Sequence, residues 1–179
     1  MENFLAATHR DDHKGEDLKL ENLYKFPEPE VEFDMKEPTF QEVQSFIKKA
    51  RTKSAPGPNG IPYKVYKYCP EIMKVMWRIL KNIWKDNVVP DSWKKAEGCF
   101  LPKVDNARQV KEFRTVSFLN VEGKVYKGLL AKKLTKFAMS NGYIDQSIQK
   151  AGIPGVSGCL ENSAILTQMI SEAKKNKRI

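Results

Sequence analysis

A chain of 179 residues, 41% hydrophobic and 30% charged, is long enough to bury one core. It carries no apolar run of about 18 residues, which excludes a transmembrane helix. The formal net charge of +9 hides an asymmetry: residues 1–47 hold 5 basic and 12 acidic side chains, residues 48–98 hold 12 and 4, and residues 99–179 hold 14 and 6. An acidic leader thus precedes a cationic body that suits a polyanion such as nucleic acid, or is simply a well-solvated lysine surface.

Residues 1–36 are polar, acidic and short of apolar periodicity, and Pro27-Glu28-Pro29-Glu30 reads as an extended linker. Met1–Thr8 has too short an apolar part and no basic start, so it is not read as a signal peptide. His9 and His13, with Asp11-Asp12 between them, have the spacing of half a metal site, but no further ligand is in view and a solvated polar segment is the expectation. A helix begins after Pro38, where Thr39-Phe40-Gln41-Glu42 is a capping box, and Phe40, Val43, Phe46, Ile47 and Ala50 form its apolar face. Lys48, Lys49, Arg51 and Lys53 close it with positive charge suited to its C-terminal dipole.

Ala55-Pro56-Gly57-Pro58-Asn59-Gly60 cannot be helical, because two prolines remove donors while Gly57, Asn59 and Gly60 permit positive φ. A second helix follows Pro70, expected to bury Ile72, Val75, Met76, Ile79, Leu80, Ile83 and Trp84, and it ends over Asn87–Asp91. Ala96–Pro102 and Arg114–Leu119 read as the strands of a β-hairpin with a long charged tip holding Asp105, Arg108, Lys111 and Glu112. A third helix is expected over Val121–Ser140, carried by Val125, Tyr126, Leu129, Leu130, Leu134 and Phe137, with Asn120 as N-cap and Asn141-Gly142 as C-cap. After a glycine-proline loop at 152–158, a last helix over about 160–175 carries Leu160, Ile165, Leu166, Met169, Ile170 and Ala173. That loop is not a phosphate-binding P-loop, since no Gly-Lys-Ser/Thr follows it. Cys69, Cys99 and Cys159 are odd in number and form no C-x-x-C pair, which argues against zinc or a disulfide framework and fits an intracellular protein of cytoplasm or nucleus.

In order and spacing, five elements resemble the reverse transcriptase (RNA-directed DNA polymerase) of non-LTR, LINE-type retrotransposons. They are Ala55–Gly60; Trp93 with Leu101-Pro102-Lys103; Phe113–Asn120; Ala131-Lys132-Lys133-Leu134; and Gln149-Lys150-Ala151-Gly152 with Gly155–Cys159. The likeness runs over about residues 36–175. Two positions depart from the family pattern: Asn59 where Asp is usual, and Thr115 where Pro is common.

The resemblance implies an α+β, mostly helical fold, the fingers subdomain of a right-hand polymerase with one short antiparallel β-hairpin or small sheet and no palm catalytic sheet. It divides the chain into a disordered acidic leader, 1–36, and a partial reverse transcriptase domain, 37–179. It makes Lys103 and Arg114 the contacts to the triphosphate of an incoming dNTP, Arg supplying a bidentate fork and Lys a point charge; otherwise they are ordinary hairpin charges. It sets the Gly57–Gly60 loop near template, with Lys48, Lys49, Arg51 and Lys53 tracking template phosphates as the alternative to closing their helix. The implied partners are an RNA template and RNA–DNA hybrid, and no membrane. The intact parent enzyme would use two Mg²⁺ ions held by aspartates. In this chain Asp105, Glu112, Glu122, Asp145, Glu161 and Glu172 are isolated acids, so no catalytic residue, metal ligand or bound cofactor is assigned, and the polypeptide alone is expected to lack polymerase activity. The alternatives are a non-catalytic nucleic-acid-binding module or a domesticated interaction protein.

Overall fold

The computed structural model describes residues 27–150 and 152–176, together with Ala7 and Arg10. The histidine pair, Asp11-Asp12 and the N-terminal stretch apart from Ala7 lie outside the described residues, as does Ala151. The described chain is mostly helical with one small antiparallel sheet, the α+β class expected from the sequence. It divides into two compact units, residues 35–130 and residues 27–34 with 131–176.

The first unit begins with α1, Phe40–Lys49. Its N-terminus is closed by the capping box: Glu42 N–H donates to Thr39 Oγ1 at 3.2 Å and Thr39 N–H to the Glu42 carboxylate at 2.8 Å. A short helix α2, Tyr63–Tyr68, leads into α3, Pro70–Asp86, whose Pro70 sits at N1 and whose end is marked by left-handed Asn87, φ 56°. One turn of helix, α4 (Asp91–Lys94), precedes the hairpin of β1 (Ala96–Pro102) and β2 (Phe113–Leu119), paired from Ala96↔Leu119 to Pro102↔Phe113. A 3₁₀ turn at Val110–Glu112 lies between the strands. Helix α5, Val121–Ser140, follows at once.

The core of this unit joins Val43 and Ile47 of α1, Tyr63 and Tyr66 of α2, Met73, Met76, Leu80 and Ile83 of α3, Trp93 of α4, and Val121, Val125 and Leu129 of α5. Indole N–H groups tie down the entry segment, Trp77 to the Pro38 carbonyl and Trp84 to the Met35 carbonyl, both at 2.8 Å. The buried stripe of α3 differs from the expected one. Met76, Leu80, Ile83 and Trp84 are buried, but Met73 joins them, while Ile72, Val75 and Ile79 remain 43–49% exposed. These three form the adjacent stripe of the same helix, and no described element covers it.

In the second unit, residues 27–34 lie along the end of α5. Asn141 Oδ1 accepts from Val31 N–H at 2.8 Å and its Nδ2 donates to the Val31 carbonyl at 2.9 Å, so one side chain satisfies both backbone groups of one residue. Phe33 meets Phe137 edge-on at 5.7 Å, and Lys133, 8% exposed, pairs with Asp34 at 2.8 Å. Gly142 takes the left-handed conformation, φ 68°, in keeping with the predicted C-cap. Helix α6, Gly158–Lys175, exposes Leu160, Ile165, Leu166, Met169 and Ile170, and only Ala173 of its expected apolar face is half-buried.

Candidate nucleic-acid interface

The loop 55–60 is held by the chain itself. At Gly57 a Cβ would come within 2.3 Å of Asn120 N and of the Leu119 carbonyl carbon, so only glycine allows the backbone to lie on the strand–helix junction. Gly60 has a different reason: its φ is +70° and nothing lies within 4 Å of a Cβ built there. Asn59 N–H donates to Asn120 Oδ1 at 3.1 Å, and Asn59 Oδ1 accepts from Ile61 N–H at 3.1 Å, an Asx turn. Buried Asn120 also donates from Nδ2 to the Ser92 carbonyl at 3.1 Å. Its side chain therefore bridges the loop to α4, while its own carbonyl accepts the first helical bond from Lys124 N–H at 3.0 Å, which puts Asn120 at the N-cap position expected from the sequence.

Glu122, in the first turn of α5, completes this arrangement. Its carboxylate accepts from Asn59 Nδ2 at 3.1 Å and from the Tyr66 hydroxyl. The amide at position 59 thus supplies a donor where an aspartate would set a second carboxylate against Glu122. Burial, with Glu122 beside it, pushes the Tyr66 hydroxyl well above the ordinary tyrosine value of 10.0. A phenol held neutral in the fold contributes stability that is complete below that value and is lost as pH rises beyond it. Tyr66→Phe is expected to be less stable than the parent by about 1–3 kcal/mol near neutral pH, through loss of a hydrogen bond to a carboxylate. The gap should narrow above pH 10.0, which urea midpoints measured on both sides of that pH would show; a constant gap contradicts this account.

The two hairpin cations come to the same end of the ribbon. Arg114 stands opposite Leu101, and directly opposed residues of an antiparallel ladder share a face. Lys103 extends the ladder by one bond, its N–H donating to the Glu112 carbonyl at 2.7 Å, and alternation returns it to the face of Leu101 and Arg114. The Lys103 ammonium turns onto the Lys111 carbonyl at 2.9 Å, while Arg114 is exposed and has no partner among the described residues. The tip beyond them is ordered by Glu112, whose carboxylate accepts from Arg108 N–H at 2.7 Å and Gln109 N–H at 2.9 Å, bonds that hold its carboxyl below the usual range.

The four cations after α1 do not form one row. Lys49 and Arg51 line a basin with Phe46, Ala50, Ser54, Tyr63 and Lys124; Lys48 lines a separate cleft between α1 and α3; exposed Lys53 lines neither. The terminal carbonyls of α1 are bonded instead by Lys67, whose ammonium donates to Lys48 O at 3.1 Å and to Ala50 O. Lys124, Glu122, Asn120 and Tyr66 are thus the site-forming residues that sequence reasoning did not assign. Among the described residues no three His, Cys, Asp or Glu side chains gather as a cation site. Among them, too, no helix is long and apolar enough to cross a membrane.

No protein-family model matches the sequence. The chain is 29% identical over 126 residues to a retrovirus-related Pol polyprotein from a type-2 retrotransposable element of Drosophila melanogaster. The match takes in 70% of this chain and 11% of that polyprotein. The chain is thus a retrotransposon-related sequence, similar to a short part of a Pol polyprotein.

Proposed function

We propose that the chain is the fingers portion of a LINE-type retrotransposon reverse transcriptase and that its described surface binds nucleic acid and nucleotide. In this reading Lys103 and Arg114 contact the triphosphate of an incoming dNTP. Lys48, Lys49, Arg51 and Lys53, joined by Lys124, contact template phosphates, and the Gly57–Gly60 loop lies beside the template. The observation that carries the reading is the placement of Lys103 and Arg114 on one face at the exposed end of the hairpin. The similarity to a retrotransposon Pol polyprotein supports it. Synthesis itself, with its two Mg²⁺ ions, would belong to the intact polymerase, and no described residue is assigned to it.

The test is fluorescence anisotropy with single-stranded RNA and with an RNA–DNA hybrid over a salt series. Binding should weaken steeply with salt. The double variant Lys49→Ala/Arg51→Ala should bind RNA more weakly and flatten the log–log salt slope by about 1.4, since each phosphate contact on a single strand contributes roughly 0.7, while Lys103→Ala/Arg114→Ala should weaken binding of a dNTP. Absent or salt-insensitive binding overturns the reading.

A further inference from the structure

We propose that the cleft between α1 and α3 is a binding site for one unpaired nucleobase of a single-stranded RNA. This rests on the nucleic-acid reading above and adds a site for a base that the reading does not contain; of the residues named there only Lys48 lines the cleft. The cavity measures about 430 Å³, within the range of roughly 300–1,000 Å³ typical of small-molecule sites. Its floor is apolar: Ile47 and Met73 are buried there beside the ring of Phe40.

Three features define the ligand. Tyr68 lines the cleft while 68% exposed, an aromatic face open to solvent where burial would otherwise be expected. Gln44 also lines it, and its amide has no partner among the described residues, leaving both a donor and an acceptor free. Lys48, Lys67 and Lys74 also line it. Lys67 is committed to the end of α1 and Lys74 to Glu71 at 2.8 Å, while Lys48 has no ion-pair partner among the described residues. A plain hydrocarbon would leave the amide and the cations unused, and a simple anion would leave the apolar floor uncovered. A flat heterocycle with a hydrogen-bonding edge and an attached phosphate satisfies all three. In a duplex, base edges are paired and faces stacked, so the cleft selects single strands.

The experiment compares the parent protein and Tyr68→Ala on a single-stranded RNA 12-mer and on the same 12-mer annealed to its RNA complement. Tyr68 is exposed, so its removal is expected to leave the fold intact, which circular dichroism and the urea midpoint would confirm. The expected result is about a tenfold loss of affinity for the single strand, the order of one stacking contact, with duplex affinity unchanged. A second variant, Gln44→Leu, keeps the apolar floor and should weaken single-strand binding selectively as well. If the parent binds the single strand but neither variant alters its affinity, or if both RNAs are affected equally, the cleft assignment is overturned while the nucleic-acid reading stands. If the parent binds neither RNA, both fall.

Discussion

Gly57→Ala should be the most damaging single change in the 55–60 loop, lowering stability by about 3 kcal/mol, at the upper end of the usual cost of overpacking. The reason is what the new methyl group would meet. It would fall 2.3 Å from Asn120 N and from the Leu119 carbonyl carbon, atoms of the backbone at a junction between a strand and a helix. A side chain could swing aside, but this backbone is fixed by the last pair of the ladder, Ala96↔Leu119, and by the first bond of α5. The loop must therefore lift away, breaking the Asn59–Asn120 and Asn59–Glu122 bonds as it does. Gly60→Ala is the internal control. It meets no neighbour, and its cost is only that of a left-handed alanine, about 1–2 kcal/mol. Urea unfolding of both variants separates the two mechanisms. Equal losses would mean that the junction yields and that Gly57 is not sterically required.

Leu80→Ala should cost about 3 kcal/mol, because the side chain is fully buried in the first unit and its removal leaves a cavity among helices that cannot close freely. The neighbouring Ile79→Ala should cost less than about 1 kcal/mol, since Ile79 lies on the uncovered stripe with Ile72 and Val75. The pair decides which face of α3 supports the fold. A large loss at Ile79 would show that its stripe is covered in solution.

The elements that could be read from the sequence are those whose cause is local. The capping box at Thr39 and Glu42, Pro70 at the first helical position, the turn at Asn141-Gly142 and the two strands of the hairpin each carry their signal within a few residues. Helix α2 escaped because six residues are too few to show a period, and it is burial of Tyr63 and Tyr66 that holds it. Helix α3 is apolar around more than half its surface, so periodicity predicts a helix but cannot choose between two adjacent stripes. On α6 the pattern shows an apolar face and says nothing of what lies against it. The same limit applies to the site. Lys103 and Arg114 were reached through resemblance, and pairing then placed them together at one end. Glu122 and Asn120 carry no local signal for these contacts, because their partners lie 28 to 63 positions away.

That separation has a consequence for how the chain assembles. Capping, helix extension and hairpin closure join near neighbours and need little loss of chain entropy before contacts form. The bonds of Asn59 to Asn120 and Glu122, and of Tyr66 to Glu122, enclose α3, α4 and both strands, so they gain nothing until those elements are in place. Docking of the glycine-proline loop is thus expected to come late, after the main barrier to folding. Changes at Asn59 should accordingly speed unfolding and leave the folding rate nearly unchanged, which stopped-flow kinetics in urea would show; a slowed folding limb would place the loop within the barrier.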